Sequence, residues 1–132
     1  MASYRLTALV SVVIALLCIN PVFSFVPGSK AQDLKQYNDL LGSRDNVLVF
    51  FHDGLNGRTQ TVIPKFREML DKYAAKDLLV IIVNAKESPD LAKGLFVTEY
   101  PTIRAYRRKF QISQVVGDNL TSLATIFAAI TN

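Results

Sequence analysis

Cysteine is almost missing. In 132 residues only Cys18 carries a thiol, and it lies in an apolar block near the start of the chain. Dithiol exchange needs a thiolate nucleophile and a second thiol to resolve the mixed disulfide, so one sulfur does not make the pair. Histidine is as scarce, with His52 alone. Zinc wants three or four Cys, His or carboxylate ligands, and only Asp53 is near His52 in sequence, so no metal site and no cofactor are expected. A strong charge bias is lacking too: the formal net charge is +4, and no basic face carries a nucleic-acid reading motif, which excludes that class of partner. Repeats and low-complexity tracts are absent. With 132 residues, half of them apolar, there is room for one domain.

The early apolar block, Leu6 to Ile19, is shorter than the roughly 20 residues a spanning helix needs. Arg5 before it and Val22-Phe23-Ser24 after it give the pattern of a secretory signal peptide over residues 1–24, with cleavage expected after Ser24 and Cys18 removed with it. Phe25-Val26-Pro27-Gly28-Ser29 reads as an irregular arm over 25–32. The domain then spans 33–132. The chain finishes Ala129-Ile130-Thr131-Asn132 without a Lys-Asp-Glu-Leu type signal, so secretion is the default, and residence in the endoplasmic reticulum lumen would need a partner.

What is present is ordered. A helix is expected at 33–41, with Leu34, Tyr37, Leu40 and Leu41 on one face and Gly42 at its end. Val47 to Phe51 is an apolar, β-rich run of the kind found in a strand buried on both faces. It breaks at His52-Asp53-Gly54-Leu55-Asn56-Gly57, and a helix over 58–74 follows, bent at Pro64. Leu78 to Val83 is a second buried strand, and Ser88-Pro89 opens a short helix to about Lys93. Thr102–Arg107 and Gln111–Val116 form a hairpin turning at Arg108 to Phe110, and a last helix runs from Asn119 to Ile130. With only Phe25 and Val26 ahead of Pro27, a first strand is short or absent.

Strand, tight loop and helix at Val47–Pro64, together with Tyr100-Pro101-Thr102, resemble the thioredoxin fold of thioredoxins and protein disulfide isomerase domains. In that family a Cys-x-x-Cys motif opens the helix and a proline follows five residues after its second cysteine. Counting back from Pro64 puts the motif on Asn56-Gly57-Arg58-Thr59, where both cysteines are replaced. Tyr100-Pro101-Thr102 matches the family's cis-proline, and Gly117 the glycine closing its last strand. Phe50 stands where the family often keeps a buried acid. The resemblance covers roughly residues 33–132 and implies an α/β thioredoxin-like fold, with a central mixed sheet flanked by helices.

Each candidate site residue has a bland reading and a functional one. His52 is either an acid or base near the loop or a ring filling an aromatic slot. Asn56 or Thr59 caps the helix, Gly57 frees the turn, and the loop's amides with Arg58 are placed to take a peptide or an anion. In the family, the backbone before the cis-proline pairs with an extended substrate, so Tyr100, Pro101 and Thr102 mark a groove. Arg104, Arg107, Arg108 and Lys109 are a solvated turn or a patch that steers an acidic partner. Asn119-Leu120-Thr121 is an N-glycosylation acceptor. The edge at Leu78–Val83 invites residues 25–32, a second subunit or a client protein.

These residues lead to an expectation: a redox-inactive thioredoxin-like module of the secretory pathway, binding a peptide or protein partner as chaperone, escort or assembly subunit. Ordinary dithiol catalysis is not expected. The alternatives are an atypical disulfide isomerase-family enzyme dependent on partner thiols, or a secreted structural or signalling protein.

Overall fold

The computed structural model describes residues 27–54, 56–73 and 77–131. The expected signal peptide, Cys18, Phe25 and Val26 lie outside the described residues. Nine elements follow one another here: β1 Ser29–Lys30, α1 Leu34–Leu41, β2 Asn46–His52, α2 Gly57–Lys72, β3 Leu78–Asn84, α3 Pro89–Gly94, β4 Thr102–Arg107, β5 Phe110–Val116 and α4 Leu120–Thr131. The five described strands form one mixed sheet in the order β1-β3-β2-β4-β5. β3 runs parallel to β2 and to β1, whereas β4 is antiparallel to β2 and β5.

Alternation along β2 divides its side chains between two cores. Leu48 and Phe50 join Phe66 and Met69 of α2 and Leu123, Ile126 and Phe127 of α4. Val47, Val49 and Phe51 join Tyr37 and Leu41 of α1 and Leu91 of α3. Phe50 meets Phe66 edge-on at 5.0 Å, and Phe66 meets Phe127 at 5.3 Å, the offset geometry aromatic pairs prefer. Helices on both faces explain why β2 and β3 read as apolar runs without polar alternation.

The first strand is short, two residues long, and it lies inside the stretch read as an irregular arm. Ser29 and Lys30 pair with Ile81 and Ile82, and Lys30 forms an ion pair with Glu87. Gly28 lets the chain come this close, because a Cβ there would lie 2.8 Å from the Val80 carbonyl oxygen. α2 begins at Gly57, one residue before the expected start, and continues through Pro64.

The basic cluster at the hairpin does not act as one patch. Arg104 is buried, with 9 % of its surface exposed. Arg107 donates to the Ala129 and Ile130 carbonyls at 3.0 and 3.4 Å, where the negative end of the α4 dipole attracts a cation. Only Arg108 and Lys109 occupy the exposed turn, both at positive φ (52° and 73°), as a two-residue hairpin turn of the primed type requires. Phe110, expected in that turn, pairs with Arg107 as part of β5.

α3 closes in a Schellman arrangement. The Val97 amide donates to Ala92 O at 3.0 Å and the Phe96 amide to Lys93 O at 3.0 Å, which puts Phe96 in the left-handed position at φ 60°. Glycine usually occupies that position, and here an aromatic stands 87 % exposed. Phe96→Gly is therefore expected to raise unfolding free energy by roughly 0.5–1 kcal/mol: relieving the left-handed strain outweighs the greater freedom of glycine in the unfolded chain. Urea unfolding of both proteins checks it.

Candidate functional site

The motif-equivalent loop sits where β2 ends and α2 begins. Asn56 caps α2: its Oδ1 accepts from the Thr59 amide at 2.8 Å, while its Nδ2 donates to Asp53 Oδ1 at 2.7 Å. This single side chain thus ties the helix start to the turn behind it. The first amides of α2, those of Gly57 and Arg58, have no acceptor among the described residues and form the positive end of a sixteen-residue helix. Thr59 is completely buried, and its Oγ1 finds no hydrogen-bond partner among the described residues.

The Tyr100–Pro101 peptide bond is cis. Thr102 Oγ1 donates to Glu99 O at 2.7 Å and Tyr100 Oη to Val97 O at 3.2 Å, which fixes the turn from both sides. Burial, helped by the Asp53 carboxylate, pushes the Tyr100 hydroxyl pKa up. Register brings this turn to the loop, since Phe51 of β2 is paired with Thr102 of β4.

Arg58 spans the space between them. Its guanidinium rests on Gly117, and its Nε lies 3.9 Å from Asp118 Oδ1. Gly117, at φ 86°, donates its amide to Pro101 O at 2.8 Å. Its positive φ favours glycine, and a Cβ there would push the Arg58 guanidinium aside. Loop, proline turn and Gly117 thus adjoin one another, and Arg58 supplies the cation among them.

His52 is buried with 4 % exposed, and its Nδ1 accepts from the Gly54 amide at 3.1 Å, which leaves the proton on Nε2. Desolvation lowers its pKa below the ordinary 6.5, against the opposing pull of the Asp53 carboxylate. The ring is tilted against Phe50 at 6.1 Å. It fills an aromatic slot as a neutral group. No cluster of three or more His, Cys, Asp or Glu suited to a metal exists among the described residues. No helix among them is long and apolar enough to cross a membrane.

The thioredoxin family model matches residues 29–131, and the chain belongs to the thioredoxin family. It is 23 % identical over 94 residues to the thioredoxin of Coprinus comatus, covering 71 % of this chain and 89 % of that one. It is 25 % identical over 100 residues to mitochondrial thioredoxin-3 of Saccharomyces cerevisiae, covering 76 % and 77 % of the two chains. The crystal structure of oxidised mitochondrial thioredoxin 3 from the same yeast superposes with a TM-score of 0.70 at 24 % identity, over 77 % of this chain and 94 % of that one.

These relatives correct two expectations. A redox-inactive chaperone, escort or assembly subunit is not what they indicate, because they carry the name of a redox family. Secretion or residence in the endoplasmic reticulum is overturned as well, since the compartment that appears in a relative's name is the mitochondrion. The acceptor reading of Asn119 rested on the secretory route. In the structure Asn119 lies just before α4, and its Oδ1 accepts from the Ser122 amide at 3.0 Å.

Sequence reasoning missed Arg104 as a buried cation. The signal was its even-numbered place between Thr102 and Tyr106 in an alternating strand, which sends it to the same face as both.

Two outcomes follow from this geometry. Thr59→Val keeps the shape and removes the orphaned hydroxyl, so unfolding free energy is expected to rise by about 1 kcal/mol in denaturant titration. Because His52 is held neutral in the folded chain, the unfolded chain binds more protons below about pH 6.5, and stability falls as pH drops from there through the folded pKa. In His52→Phe that part of the pH dependence is expected to flatten, read from melting temperatures between pH 5 and 7.

Proposed function

We propose that the chain takes part in thioredoxin-type thiol–disulfide exchange, using its cleft to promote the reaction of a disulfide with a thiol brought by a second protein or small dithiol. What supports this reading is membership of the thioredoxin family together with the grouping of charged and polar elements around Arg58. The unused Gly57 and Arg58 amides, the Arg58 cation and the cis-Pro101 turn stand together, although Asn56 and Thr59 contribute no sulfur.

The chemistry balances without a thiol on the chain. A thiolate of the incoming dithiol attacks one sulfur of the bound disulfide, the S–S bond breaks, and the other sulfur leaves as a thiolate. A helix N-terminus and a neighbouring cation both lower thiol pKa, so the cleft stabilises that leaving group. The second thiol of the dithiol then displaces the mixed disulfide. Two electrons pass to the substrate, and the dithiol departs oxidised.

Insulin reduction by dithiothreitol, followed by turbidity, tests this. The chain is expected to raise the rate severalfold over dithiothreitol alone, and Arg58→Ala to remove most of the gain, because one charge next to a developing thiolate contributes on the order of 1 kcal/mol. A rate equal to that of dithiothreitol alone would overturn the proposal.

A further inference from the structure

On the face of the sheet that holds α1 and α3, beside the cis-proline turn, lies a second cavity of about 190 Å³. Phe96, Val97 and Val116 form its apolar wall, Thr98 and Gln114 its polar one, and Arg104 also lines it. Arg104 is the unusual member. It is more than nine-tenths buried, its Nε donates to Gln114 Oε1 at 2.7 Å, and its guanidinium lies 5.2 Å from the centre of the Phe51 ring. No carboxylate pairs with it among the described residues, whereas Lys30, Lys35, Arg44, Arg58 and Lys65 each have one. Its two terminal nitrogens have no acceptor there either. They are not sealed in, since among the described residues the single enclosed side-chain polar atom without a partner is Thr59 Oγ1.

A buried cation is normally paired with a negative charge. Here the ring face and the amide oxygen of Gln114 supply only partial compensation, and the donors left over open onto a cavity. The strained, exposed Phe96 stands at its rim, and a non-glycine residue kept in the left-handed region is the kind of outlier that accompanies binding sites.

We propose that this cavity binds a carboxylate carried on a compact apolar group. The guanidinium fork matches a planar carboxylate, and Phe96, Val97 and Val116 receive the apolar body. A single cation balances a single negative charge. A dianionic phosphate would leave one charge unmatched and face Glu99, which also lines the cavity. The volume equals that of about six water molecules at ~30 Å³ each, enough for an acid of benzoate size. Thr102 of the cis-proline turn also lines this cavity, but the cation here is Arg104 rather than Arg58, and the proposal does not depend on the exchange function.

Calorimetric titration of the whole chain with benzoate tests the proposal, with benzamide as its neutral counterpart. Acetyl-glycyl-phenylalanine, a carboxylate at a peptide terminus, separates a free acid from a chain end as the source. Benzoate or the peptide is expected to bind at least ~10-fold more tightly than benzamide, and Arg104→Gln to abolish the difference, as a charge-assisted hydrogen bond implies. Glu99→Gln, which leaves the fold untouched, is expected to tighten binding about threefold by removing a rim charge of like sign. Phe96→Gly is expected to weaken it. Equal binding of benzoate, peptide and benzamide would overturn the site. So would unchanged affinities in Glu99→Gln and Phe96→Gly, and those two variants decide the matter if Arg104→Gln does not fold.

Discussion

Burial of β2 on both faces is the constraint on which the rest of the structure depends. Val47 to Phe51 are each at most 1 % exposed, with odd and even positions committed to different cores. A slip of one residue would exchange the two sets, so the register against β3 and β4 is fixed by side-chain size as well as by hydrogen bonds. The functional geometry follows from that register. Phe51 opposite Thr102 brings the cis-proline turn beside the strand's end, the same end from which the chain leads on to the start of α2 at Gly57. The cleft is therefore a consequence of where the core stops.

Three arginines show how position decides what a cation does. Arg58, half exposed, bridges the cleft to Asp118 through water-accessible space, where an ion pair contributes little to stability and its charge remains available to a ligand. Arg107 is consumed by structure, capping α4 and leaning on Asn46 Oδ1 at 3.4 Å. Arg104 is enclosed without a counter-charge among the described residues, on a sheet face that α1 and α3 cover over β2 and β3 but leave open near β5. Sequence proximity grouped Arg104 and Arg107 together, and strand alternation separates them onto opposite faces.

The elements were legible because apolar period and punctuation agree in this chain. Val47–Phe51 and Leu78–Val83 are unbroken apolar runs, and Val62, Ile63, Phe66 and Met69 repeat at helical spacing, so the mixed sheet flanked by helices and its family could be read directly. The two-residue β1 was harder to place. Its pairing comes from the close approach of Gly28 to Val80, a tertiary fact that Pro-Gly-Ser composition hides. Phe96 at positive φ runs against propensity, so no residue-by-residue rule locates it. Function and compartment were misread because the absent sulfurs and the apolar leader were weighed above family membership. The count back from Pro64 selected Asn56 and Thr59, and in the structure Asn56 caps the helix while Thr59 is buried.

Restoring the sulfurs tests that placement most directly. If Asn56 and Thr59 occupy thioredoxin geometry, Asn56→Cys with Thr59→Cys gives a thiol at the helix N-terminus with a pKa below the ordinary ~8.5 and a buried thiol able to resolve it. The double variant is then expected to reduce insulin with dithiothreitol at least ~10-fold faster than the unmodified chain, and to form an internal disulfide on oxidation. A folded double variant that is no faster, with both thiols present and unable to join, would contradict the cleft described here.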